Sequence, residues 1–406
     1  MMSTSERMRK YTGPALFSGG FRPFFLLAGI WSALAMALWI AWFTGGIDLP
    51  AVFDPFSWHV HEMLFGFGAA ALAGFLLTAV PNWTGQLPVA GLPLAALAAL
   101  WLAGRVAVMT GAALGPVAVM VIDAAFLIAL ALLLGREIVR ADNRRNLIVI
   151  AFVLALAAAN LGFHWVAGHG GAPYQGWPAR LGISVLVMLI SLIGGRIVPS
   201  FTRNWLAARG PGPLPTPAGR FDVATLIASG AALALWTAAP EAKLSGIALL
   251  AAGLLQLARL GRWRGLRTFA EPLVTILHLA YLFLPLGFLL LGSALVDPAR
   301  VLPAAGLHAW LAGGVGLMTL AVMTRASLGH TGRPLHAGAR ELAIYAPVLV
   351  AAIARIVAGL GGPDWLLHLA AGGWVLGFGL YALLYAPILA RPRGAARKPS
   401  RAPRPA

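Results

Sequence analysis

Continuous apolar blocks of about 18–25 residues recur along this chain, the length needed to cross about 30 Å of hydrocarbon. Lipid offers the backbone no partners, so such a block must satisfy its own N–H and C=O groups, which a helix does. The apolar–polar alternation of a lipid-facing barrel strand is absent. The expected fold class is therefore all-α, a polytopic membrane protein. Composition agrees. Of 406 residues, 60% are hydrophobic and 11% charged, against about a quarter charged in soluble domains. The mean hydropathy is +0.82. A soluble enzyme and a disordered chain are both excluded.

Twelve spans are expected, at Phe24–Phe43, Val60–Val80, Val89–Val108, Ala113–Gly135, Asn146–Gly168, Leu181–Thr202, Val223–Pro240, Leu244–Gly261, Pro272–Ser293, Pro303–Thr324, Leu342–Leu360 and Trp365–Ala390. The placement of basic residues supports this. All but five of the 30 Lys and Arg fall on one side of such a bundle; Arg105, Arg180, Lys243, Arg300 and Arg355 fall on the other. By the positive-inside rule both termini are cytoplasmic, which an even number of spans requires. The net charge of +17 then reads as topology and not as nucleic-acid binding. The organisation is residues 1–23 as a cytoplasmic N-terminal segment, 24–390 as the transmembrane domain and 391–406 as a basic cytoplasmic tail facing the lipid headgroups. The polar start Met1–Gly20 has no cleavage-site pattern of a signal peptide.

A repeat is visible. His61 is followed by Gly66, Leu77-Thr78-Ala79-Val80 and Thr84-Gly85; His308 is followed by Gly313, Leu320-Ala321-Val322 and Thr331-Gly332 at the same spacing. The sixth span ends in Pro199–Trp205, similar to Pro81-Asn82-Trp83. Spans two, six and ten are four apart, which predicts three four-helix pseudo-repeats.

There are nine His and no Cys, so thiolate-held metal is excluded and any metal relies on His, Met, carboxylate or Tyr. His59, His61, His164, His169, His308 and His368 gather in the outer part of the predicted membrane, and His278 lies near its midplane. Imidazole ligates haem iron and copper, so His59, His61, His164, His278 and His308 are candidate metal ligands. The repeat-equivalent His61 and His308 could clamp one haem. His59 and His61 point about 200° apart on a regular helix, so they are expected to serve different sites. Glu62 could relay protons, ligate metal or cap its helix. Asn160 and His164 share one helix face and could orient an imidazole or a bound diatomic. Glu271 and His278 suggest a proton path from the inner side. Asp123, inside the fourth span, needs a partner such as Arg105. Arg22, Arg196 and Arg325, near inner helix ends, could fork onto a carboxylate of a cofactor or a quinone headgroup. No nucleophile triad, Walker motif or dinucleotide fingerprint is present.

The phrases Phe21–Phe25, Trp58-His59-Val60-His61-Glu62-Met63, Gly74–Gly85, Gly194-Gly195-Arg196, Leu277–Tyr281 and Ser327–Arg333 together resemble the NnrS family. The resemblance spans all but the tails. It implies a multi-pass protein of the bacterial inner membrane, holding haem b and copper and acting in resistance to nitric oxide. The twelve spans, and an entry His followed by Asn82-Trp83, are also similar to the catalytic subunits of haem–copper oxidases and nitric oxide reductases. The chain departs from that pattern in having one His in span ten and none in spans six and seven, so a dinuclear centre would need His59, His164 and His278. The function expected is binding and reduction or detoxification of nitric oxide with electrons from a membrane quinol. A non-catalytic protective or sensor protein and a small-molecule transporter are the rival expectations.

Overall fold

The computed structural model describes residues 11–299 and 301–392; Arg7, Arg9, Lys10, Arg300 and the tail from Arg393 onward lie outside them. Twelve helices are long and apolar enough to cross a membrane: α1 (Phe21–Phe43), α2 (Pro55–Thr84), α3 (Leu92–Met109), α4 (Pro116–Arg140), α5 (Arg144–Gly168), α6 (Trp177–Ala207), α7 (Arg220–Ala238), α8 (Lys243–Arg267), α9 (Pro272–Val296), α10 (Pro303–His330), α11 (Ala339–Gly359) and α12 (Trp365–Ala390). No strand occurs among the described residues. Since the helices alternate in direction, the starts of the even-numbered ones and the ends of the odd-numbered ones share one face of the bundle, called here the far side. The start of α1 and the end of α12 lie toward the opposite side, called here the terminal side.

The helix starts follow local chemistry. Asp54 Oδ1 accepts from Phe56 N (3.0 Å) and Ser57 N (3.1 Å), with Pro55 in the first turn. That cap starts α2 five residues before the expected Val60, and it leaves no capping role for Glu62. Helix α1 begins at Phe21 and not at Phe24, because first-turn N–H groups have no intrahelical acceptor and Pro23 is tolerated there. Asp222 Oδ2 accepts from Gly219 N (3.0 Å) and Glu341 Oε2 from Gly338 N (2.9 Å), closing the starts of α7 and α11. Pro347 sits inside α11 without ending it.

Three helices contain π-helical stretches: Glu62–Gly68 in α2, Ile190–Gly194 in α6 and Ala309–Leu317 in α10. The first starts one residue after His61 and the third one residue after His308. Gly85 and Gly332, equally spaced from those His, both take positive φ, 69° and 75°. Spans two, six and ten thus share a π-helical stretch, and spans two and ten also share the spacing from His to a positive-φ Gly. The same three helices are among the most enclosed, with 78%, 61% and 72% of their apolar windows buried against 33–50% for all others except α9 at 67%. Sequential neighbours pack along the chain, and α12 packs on α1, so the outer helices close around this interior. In lipid there is little hydrophobic drive between helices, and close packing and polar contacts hold them together.

Candidate functional site

A buried polar cluster sits toward the far side and draws on five helices. His61 and Glu62 come from α2, at the start of its π-stretch. Trp31 comes from α1, Arg105 from α3, Asp123 from α4, and Asn160 and His164 from α5. All are buried. The Arg105 guanidinium is the charge hub. Its Nη1 donates to both Glu62 oxygens (2.6 and 2.7 Å) and its Nη2 to Asp123 Oδ1. Trp31 Nε1 donates to Glu62 Oε2 (2.6 Å). The expected Arg105 partner of Asp123 is thus present.

The imidazoles complete the arrangement. His61 Nδ1 donates to Glu62 Oε1 (3.0 Å), and its Nε2 lies 3.0 Å from Asn160 Oδ1 and 3.1 Å from Asp123 Oδ2. His164 Nε2 lies 3.0 Å from the same Asp123 oxygen, to which Asn160 Nδ2 also donates (2.9 Å). One ligand atom each from His61, Asp123 and His164 falls within 4.8 Å of the others. Two imidazoles and one carboxylate form a donor set for a divalent first-row metal. The His61–Glu62 contact is the second-shell carboxylate that fixes a ligating imidazole. Gly66 allows this closeness: a Cβ there would come within 2.7 Å of Glu62 Oε2 and of Trp31 Nε1.

Other expected site residues lie elsewhere. The rings of Phe53, Phe65, Phe163 and His164 surround His61 with centroids 4.9–5.3 Å away, leaving no room for a porphyrin plane. His308, on α10, belongs to a different cluster. Its Nδ1 donates to Ala304 O (2.8 Å), and its Nε2 accepts from Arg355 Nη2 (3.0 Å). The two repeat-equivalent His therefore do not face each other across a shared site. His59 stacks on Trp39, ring centroids 4.1 Å apart, so His59 and His61 do serve different surroundings. His278 Nε2 donates to Thr202 Oγ1 (2.7 Å), whose own proton goes to Val198 O.

Glu271 ties down a loop on the terminal side. It caps α9 through Leu273 N (3.2 Å) and accepts from Ala337 N (3.0 Å) and His336 Nδ1 (2.8 Å). It is not joined to His278 by any hydrogen bond among the described residues. Arg22 Nη1 donates to the carbonyls of Leu389 (2.6 Å) and Arg391 (2.8 Å), closing the end of α12. Arg325 lies over the Phe201 ring (4.2 Å), and Arg196 is exposed. A second buried network joins Arg259 to Asp222 (2.9 Å) and Tyr281 (3.1 Å), with Gln256 bonded to Ser191 and Ser229. Sequence reasoning passed over this network because its polar residues are scattered over four helices.

Between α2, α6 and α10 lies a partly open apolar cavity of about 90 Å³, bordered by Phe25, Leu72, Ile193, Met318 and Thr319 among others.

A family model described as NnrS protein matches residues 15–393. The chain belongs to the NnrS family. As a member of it, this NnrS protein places the family-like phrase Trp58–Met63 at the entry to α2, where His61 and Glu62 join the metal-type cluster. No curated protein matches the chain.

Proposed function

We propose that this NnrS protein is a copper-carrying protein of the bacterial inner membrane, with both termini in the cytoplasm, that binds nitric oxide and removes it with electrons from a membrane quinol. The observation that carries this reading is the His61–Asp123–His164 cluster, a donor set free of thiolate and buried among helices of a family member. His61 Nε2, His164 Nε2 and Asp123 Oδ2 would hold the ion, with Asn160 Oδ1 beside them. Copper bound there would supply a one-electron centre able to bind a diatomic.

The chain's own residues set the conditions. Glu62 holds the Nδ1 proton of His61, which keeps Nε2 turned toward Asp123. Arg105 and Trp31 fix Glu62, and Arg105 offsets the charge of Asp123. Phe53, Phe65 and Phe163 exclude water from the imidazoles. Nitric oxide is neutral and lipid-soluble, so it can reach a site buried among membrane helices without an aqueous channel. The haem b that the family resemblance implies does not fit between His61 and His308, which lie in separate clusters.

The test is metal analysis with electron paramagnetic resonance on the purified full chain, paired with a nitric oxide electrode and reduced quinol. About one copper per chain is expected, lost in His164→Ala and in Asp123→Asn together with quinol-dependent consumption of nitric oxide. Folded protein that binds no copper, or variants that keep it, would overturn the assignment.

A further inference from the structure

On the far side, a guanidinium meets an imidazole with no carboxylate between them. Arg355 lies on α11 four residues before its end, His308 on α10 and His59 on α2. Arg355 Nη2 donates to His308 Nε2 at 3.0 Å. His59 is within electrostatic reach of both. Its Nδ1 is buried and has no hydrogen-bond partner.

The other enclosed arginines show what is unusual here. Arg105 is paired with Glu62 and Asp123, and Arg259 with Asp222. Arg22 is occupied by two backbone carbonyls. Arg355 forms no ion pair with a carboxylate among the described residues; its partner is an imidazole nitrogen. An arginine at membrane depth is costly and is normally paired or lines an ion path. A long side chain near a helix end can also snorkel outward, but Arg355 turns inward onto His308. Since the Nδ1 proton of His308 is already given to Ala304 O, His308 offers Arg355 only a neutral lone pair. The local charge stays uncompensated.

We infer that the Arg355 guanidinium, steered inward by its bond to His308, is the binding group for a small planar oxyanion, the class that includes nitrite and simple carboxylates. A guanidinium presents two parallel N–H donors matched to a planar pair of oxygens. The site is half-buried, so an anion can reach it from the far-side face. It shares no hydrogen bond with the His61 cluster, so anion binding and metal binding fail independently. Only the choice of nitrite as first probe rests on the proposed function.

The experiment is isothermal titration calorimetry on the full chain in detergent with sodium nitrite, sodium acetate and sodium chloride. Saturable binding of nitrite or acetate, tighter than chloride, is expected. Whichever of the two binds more tightly identifies the source as inorganic or carboxylate. Arg355→Gln is expected to weaken the binding at least tenfold. Arg355→Lys, which keeps the charge and loses the fork, should fall between it and the parent. Gel filtration and an unchanged copper content confirm that each variant is folded. Absence of saturable binding in the parent overturns the inference, as does chloride binding as tightly as nitrite and acetate, or a folded Arg355→Gln variant that binds like the parent.

Discussion

Replacing Arg105 with Met tests whether one guanidinium holds the far-side cluster together. Arg105 is 2% exposed, Glu62 0% and Asp123 2%. Its two terminal nitrogens reach both carboxylates, with 2.6 and 2.7 Å contacts to Glu62. Met fills similar volume but leaves two carboxylates without their cation. Removing one partner of a buried ion pair costs about 3–5 kcal/mol, because the remaining charge stays desolvated. Each 1.4 kcal/mol is tenfold, so the unfolding equilibrium should move by roughly two to three and a half orders of magnitude. The assay is unfolding in mixed dodecylmaltoside–SDS micelles followed by tryptophan fluorescence. The double variant Glu62→Gln/Arg105→Met removes one orphaned charge and should recover about 1 kcal/mol or more relative to additivity. A single variant within about 0.5 kcal/mol of the parent, or strict additivity in the pair, would refute the role given to Arg105.

Three further outcomes are expected. Gly66→Ala would push a methyl into Glu62, Trp31 and Arg105, costing about 1–3 kcal/mol and lowering copper content in the metal assay. Gly332→Ala, at φ 75°, should destabilise by about 1–2 kcal/mol, read as a lower unfolding midpoint, with copper unchanged because the residue is on the terminal side. Glu271→Gln should loosen the loop before α11 by weakening its hold on His336 and Ala337. Limited proteolysis should then cut near Arg333 faster than in the parent, and an unchanged cutting rate would show that Glu271 does not clamp the loop.

Much of the fold was legible because lipid imposes a simple rule: a segment that crosses it must be long, apolar and helical. Span number followed from that rule, and boundaries did not: a cap or first-turn proline starts α2 and α1 early at Asp54-Pro55 and Pro23, α3 and α4 start later than expected at Leu92 and Pro116, and α8 and α10 run on to Arg267 and His330. The site was legible in part. His61, Asn160 and His164 were singled out, and Asp123 with Arg105 was expected as an intramembrane pair, because an unpaired charge at that depth is costly. The central place of Asp123 was not legible, since one carboxylate in a span looks the same whether it touches one partner or four. The repeat placed His61 and His308 at equivalent positions. Their neighbours differ, with Glu62 and Asp123 beside one and Arg355 beside the other, and side-chain identity on adjoining helices set the two environments apart.

The sequence by itself determined that the chain enters lipid, how many times it crosses, and which residue types are available to hold a metal once cysteine is absent. These are properties of single segments and of composition. Which imidazole faces a carboxylate and which faces a guanidinium was decided only by the tertiary structure. That choice depends on how α2 through α5, and α10 against α11, rotate about their axes when they pack, and helix rotation is fixed by contacts between segments far apart in the chain.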